Sequence, residues 1–126
     1  MNNKPLILFQ GPVRSRSGYG DHTRDLITSL IKSEKYDILI APTKWGDCPE
    51  TGLEPNSTNN AISARILTGN NLQRQPDIFI NCSVPNEWNN IQLIGKYNIG
   101  ITAGIETTVC DSTWIQGCNK MDLVIV

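Results

Sequence analysis

The residues best suited to chemistry lie close to the start of the chain, in Gly11-Pro12-Val13-Arg14-Ser15-Arg16-Ser17-Gly18-Tyr19-Gly20. Glycines between an apolar run and a helix let the backbone turn and approach a ligand closely, and the free N–H groups of a helix start favour an anion. Arg14 and Arg16 add two cations. The stretch reads either as a site for a phosphate or sugar-phosphate, or as a tight turn whose arginines face water. His22 follows in the first helical turn, where it can donate to a phosphate, take up a proton near neutral pH, or stand in solvent beside the cap. Further on, Trp45-Gly46 offers a ring that can stack on a sugar or close the edge of the core.

Several chemistries are excluded by what the same stretches lack. A dinucleotide fold wants G-x-G-x-x-G and an acidic residue at the end of the second strand. Here Gly18-Tyr19-Gly20 is followed by Thr23 where the third glycine belongs, and the second strand ends Ile40-Ala41-Pro42, so no nicotinamide or flavin cofactor is expected. No Gly-Lys pair precedes Ser or Thr, which removes the P-loop. Cys48, Cys82, Cys110 and Cys118 form no C-x-x-C pair and His22 is the lone histidine, so no metal is expected either. Asn56-Ser57-Thr58 and Asn81-Cys82-Ser83 fit the glycosylation acceptor pattern, which matters only in a secreted chain.

At 126 residues the chain has room for one domain of ordinary size. Its formal net charge is -1 and no basic stripe runs along it, so no nucleic-acid partner is expected. No run approaches the ~20 apolar residues that span a bilayer. Met1-Asn2-Asn3-Lys4 leads straight into the first apolar run, and the expected location is cytoplasmic.

These residues need a scaffold, and the hydrophobic pattern supplies an alternating one. Pro5 to Phe9 reads as a buried strand, and Asp21 to Ser33 as a helix with Leu26, Ile27, Leu30 and Ile31 on one face. Tyr36 to Ala41 is a second buried strand closed by Pro42, which completes a βαβ unit. After a long loop from Thr43 to Asn60, Ala61 to Leu67 reads as a short helix capped by Asn59 or Asn60. Ile78 to Ile80 and Tyr97 to Thr102 give a third and fourth strand, followed by loops at Val84–Trp88 and Ala103–Thr108. Asp111 or Ser112 opens a helix that runs to Met121, and Leu123 to Val126 begins a fifth strand. The expected fold is α/β, a Rossmann-like parallel sheet with helices on both faces. In such sheets ligands sit at the carboxyl ends of the strands, where the glycine loop, Ser83–Trp88 and Ala103–Thr108 all fall.

Ser17-Gly18-Tyr19-Gly20 leading into His22-Thr23-Arg24-Asp25-Leu26, Gly100 to Thr108, and the Trp114 to Asp122 stretch ending in Val124-Ile125-Val126 together resemble the amino-terminal half of GT-B glycosyltransferases. The most similar group is the family 4-like, glycosyl transferases group 1 type, and the resemblance runs from Leu6 to Val126. It implies two Rossmann-like domains facing across a cleft, the first holding the acceptor and the second the nucleotide-sugar donor. By that resemblance Gly18 and Gly20 match the loop that approaches the donor phosphates, and Glu106 the acidic position after the fourth strand that faces the acceptor. Tyr19, His22, Arg14 and Arg16 are the further candidates for the donor phosphate or the cleft, and Thr107 and Trp45 for the acceptor. The chain stops inside an apolar strand, ahead of the family's donor carboxylate motif. The expectation is therefore a single Rossmann-like domain over 1–126 with a donor-binding domain to follow, and little catalysis from this half alone. The competing expectations are a non-catalytic sugar or phosphate binding module and, further off, a nucleotide-cofactor oxidoreductase domain.

Overall fold

A computed structural model of the protein describes residues 4–68, 72, 74–103 and 112–126. In chain order the elements are β1 (Leu6–Gly11), α1 (Gly18–Ser33), β2 (Asp37–Pro42), α2 (Ser57–Ser63), β3 (Ile78–Cys82), a 3-10 helix (Pro85–Asn90), β4 (Tyr97–Ile101), α3 (Ser112–Lys120) and β5 (Leu123–Ile125). All five strands pair in parallel in the order β2-β1-β3-β4-β5. Outside β2, Ile66 forms one further parallel bridge to Ile40, with Ile40 N donating to Arg65 O at 2.9 Å and Leu67 N to Ile40 O at 2.8 Å. With that bridge counted as a rudimentary strand, the order becomes the 3-2-1-4-5-6 of a Rossmann sheet.

The strands are continuous apolar runs because both faces are covered. Ile7, Phe9, Ile38, Ile40, Ile80, Cys82 and Ile101 turn to one face and cluster with Ile27 of α1 and Ile62 of α2. Residues one step along each strand turn to the other face. There Trp88 of the 3-10 helix is fully buried over Gly100, so closely that a Cβ at Gly100 would lie 2.5 Å from the indole. The 3-10 helix packs against α3, and Lys120 Nζ ties the two by donating to Trp88 O at 2.6 Å. The crossovers through α1 and through the 3-10 helix run in opposite directions along the sheet, and right-handed crossovers then put their helices on opposite faces.

The element borders differ from the sequence reading where caps decide them. Helix α1 begins at Gly18 and not at Asp21, because Ser17 in extended conformation accepts a hydrogen bond from Gly20 N at 3.0 Å. Gly18, Tyr19 and Gly20 are thus the first turn of a helix and not part of the loop before it. Helix α2 starts at Ser57 because Asn56 Oδ1 accepts from Asn59 N at 2.7 Å. The expected loop at Val84–Trp88 is largely the 3-10 helix, opened by Pro85. Pro42 ends β2 from inside the ladder, opposite Gly11.

Candidate functional site

The segment between β1 and α1 is braced from below by Arg24. Its Nη1 donates to Val13 O at 2.9 Å and Ser15 O at 2.7 Å, and its Nη2 pairs with Asp21. The side chain is 13% exposed, so this cation works as a structural strut. Gly20 sits directly under one of these carbonyls, where an added Cβ would lie 2.0 Å from Ser15 O. Gly20 is required by close approach and not by backbone twist, because among the described glycines only Gly46 has a positive φ.

Arg14 and Arg16 are held on the outer side by the loop after β2. Arg16 N donates to Pro49 O and Gly52 N to Arg14 O, both at 2.8 Å. The Arg16 guanidinium donates to Thr51 Oγ1 at 2.6 Å and pairs with Glu54. Arg14 lines a groove with Glu50, Leu53 and Ile66.

Tyr19 links the ends of two strands, β2 and β4. Its hydroxyl lies 3.1 Å from Thr102 Oγ1 and accepts from Ala103 N at 3.1 Å, just past β4. Its ring stacks on Trp45, past β2, with centroids 4.3 Å apart and planes 27° from parallel. A turn fixes Trp45: Gly46 takes φ 52° and Cys48 N donates to Trp45 O at 3.1 Å. Trp45 borders two cavities. One, of about 460 Å³, is lined by Gly18, Tyr19, His22, Trp45, Thr102 and Ala103. The structure therefore brings four of the anticipated residues together there: Gly18, Tyr19, His22 and Trp45. The other, of about 450 Å³, lies over the β1–β3 junction and includes Gln10, Asn81, Ser83 and Glu87. Glu106 and Thr107 lie outside the described residues.

The second cavity contains a polar chain that sequence reading passed over. Gln10 and Asn81 stand opposite each other in the β1–β3 register, at the point where the strand order reverses. Asn81 Nδ2 donates to Gln10 Oε1 at 2.8 Å, while Asn81 Oδ1 accepts from Ser83 Oγ at 2.7 Å and Trp88 Nε1 at 2.9 Å. The signal was available as two amides closing otherwise apolar strands, since a polar side chain in such a run has to find a partner. Beside them Cys82 is wholly buried. Burial pushes its thiol pKa up, against the opposing hydrogen bond from Thr23.

A larger hollow of about 930 Å³, bordered by Lys4, Glu34, Asp37 and Arg65, opens at the amino ends of β1 and β2. That is the edge of a parallel sheet at which ligands are not normally bound. Nearby, Asp77 accepts hydrogen bonds from Leu6 N at 2.8 Å and Arg74 Nη1 at 3.0 Å, with Lys96 Nζ 3.3 Å away. Together these hold its carboxyl down at about 2.

Among the described residues no group of three or more His, Cys, Asp or Glu could hold a metal, and no helix is long and apolar enough to cross a membrane. Comparison with protein-family models, curated proteins and solved structures gave no match. What the site can do is therefore read from its own geometry.

Proposed function

We propose that the cleft at the carboxyl ends of the strands holds a carbohydrate, and that this domain is the acceptor-side unit of a GT-B glycosyltransferase, which moves a sugar from a nucleotide-sugar donor onto that carbohydrate. Trp45 carries the reading. It is backed by Tyr19 and borders a cavity whose other walls include Gln10, Thr43, Asn81, Ser83 and Glu87. A flat aromatic ring beside a few convergent hydrogen-bonding groups suits a sugar, which has an apolar C–H face and a rim of hydroxyls.

The first turn of α1 supports the donor side of the same reading. Gly18 presents no side chain there and nothing lies within 4 Å of the place a Cβ would take, which leaves room for a phosphate to come close to the helix start. The Arg16 guanidinium is engaged by Thr51 and Glu54, and Arg14 lines the separate groove with Glu50 and Leu53, which leaves that role to the helix amides and His22. Positioning the acceptor hydroxyl and stabilising the departing phosphate would supply most of the rate, with the remaining donor contacts made by a second domain.

The test is titration of the chain with simple glycosides, followed by Trp45→Ala, alongside release of nucleoside diphosphate from a panel of nucleotide sugars. We expect glycoside binding that weakens at least tenfold in Trp45→Ala. An unchanged affinity in Trp45→Ala refutes the site. Sustained turnover of a nucleotide sugar by these residues alone refutes the division of labour between two domains.

A further inference from the structure

We propose that the buried indole of Trp88 sets the hydrogen-bonding polarity of the cavity beside Trp45, and that the cavity reads two neighbouring hydroxyls of a sugar ring. This rests on the carbohydrate reading above and goes beyond it to the groups that select the ligand.

An indole N–H can only donate. Trp88 Nε1 points at Asn81 at 2.9 Å, so the Asn81 amide must turn its oxygen inward. Its Nδ2 then faces Gln10 and donates at 2.8 Å, which commits Gln10 Oε1 as the acceptor. Gln10 therefore keeps its Nε2 donors, which have no partner among the described residues, on a side chain that lines the cavity. On the other flank the Ser83 hydroxyl spends its proton on Asn81 Oδ1 at 2.7 Å and keeps lone pairs to offer. Trp88 is 0% exposed and Asn81 4% exposed, so water cannot exchange into the chain and relax its direction.

The cavity thus presents a donor at Gln10, an acceptor at Ser83 and a second, charged acceptor at Glu87, against the ring of Trp45. A pair of adjacent hydroxyls meets all of these, because each hydroxyl both donates and accepts. A phosphate, which can only accept when ionised, would face the lone pairs of Ser83 and the carboxylate of Glu87. Lys44 also lines the cavity and offsets the charge of Glu87, so the two together give the cavity no net charge to draw an anion. The ligand class is a neutral polyhydroxylated ring. Trp88 is a positioning residue, because it acts through Asn81 and Gln10.

The experiment uses the methyl α-glycosides of glucose, mannose and galactose, their monodeoxy analogues, and inorganic phosphate as probes. Binding to wild type, Gln10→Glu and Trp88→Phe is followed by NMR titration, with circular dichroism as the check on folding. Wild type should prefer one parent glycoside over a deoxy analogue by about tenfold, the worth of one hydrogen bond in a partly dry site. Gln10→Glu keeps the shape but replaces the outward donor with an acceptor, and should weaken the parent by at least tenfold. Trp88→Phe frees the amides to turn over, and should shrink the parent-to-deoxy ratio to within about threefold, which lost packing alone would not do. If Trp88→Phe does not fold, Gln10→Glu at the half-buried strand end still decides the matter. Glycoside binding that Trp45→Ala abolishes and Gln10→Glu leaves unchanged overturns this inference and spares the carbohydrate reading. No glycoside bound by wild type, or phosphate bound at these residues, overturns both.

Discussion

Gly20→Ala separates close approach from backbone freedom at the start of α1. Alanine is the better helix former by about 1 kcal/mol in a helix interior, and the φ of Gly20 is not positive, so propensity alone predicts a small gain. Geometry predicts the reverse. The new Cβ would stand 2.0 Å from Ser15 O, 2.9 Å from Ser15 C and 3.1 Å from Pro12 O, all backbone atoms that no rotamer change can move aside. Relief requires the segment before α1 to lift away, yet Ser15 O is held by Arg24 Nη1 at 2.7 Å. Overpacking of this kind costs about 1–3 kcal/mol, and with the strained Arg24 contact we expect a net loss of about 2 kcal/mol. For a domain of this size that lowers Tm by roughly 5–10 °C. Gly18→Ala is the control, because its Cβ meets nothing within 4 Å, and its Tm should stay within about 2 °C of wild type. Thermal unfolding followed by circular dichroism reads both. A Gly20→Ala protein as stable as wild type would refute the packing account and return that residue to the role of a simple turn.

Two further outcomes follow from the charged side chains. Arg24→Met should cost about 2–3 kcal/mol in urea unfolding, because it strips a charged donor from two loop carbonyls, whereas Arg16→Ala breaks an exposed pair with Glu54 and should cost less than about 1 kcal/mol. Asp77 has a folded pKa of about 2 against an ordinary 3.8, so its contribution is present above the ordinary value and drains away as pH falls from about 4 to about 2. The urea midpoint should drop across that window in wild type and drop less in Asp77→Asn, which starts lower at neutral pH.

The sheet was legible because burial on both faces writes each strand as an unbroken apolar run, and Leu6 to Phe9 is such a run. The start of α1 was less so: Gly18 and Gly20 suggest a loop on composition, and only the pairing of Ser17 with Gly20 N makes them helical. The four-residue company of Gly18, Tyr19, His22 and Trp45 depends on where two separate strands end, which local periodicity does not carry. The strut made by Arg24 was not legible, because its partners, Val13 O and Ser15 O, are backbone atoms whose direction no side-chain pattern encodes. The reach of Arg16 to Thr51 and Glu54 is likewise a tertiary fact. Gln10 and Asn81 were visible as polar residues at the ends of apolar strands, but their pairing required the β1–β3 register.

The central place of β1 also bears on how the chain is made. Its neighbour β2 arrives after a single helix, so one side of β1 can be paired as soon as the first βαβ unit has left the ribosome. Its other neighbour, β3, is not synthesised until the whole of 43–77 has followed. Throughout that interval Ile7, Leu8 and Phe9, all buried in the folded protein, carry an open hydrogen-bonding edge, which is the condition under which nascent chains pair with one another. Closing that edge is a long-range event with a larger loop-entropy cost than closing the first. The central strand is therefore the first to be made and stays open along one edge until β3 follows.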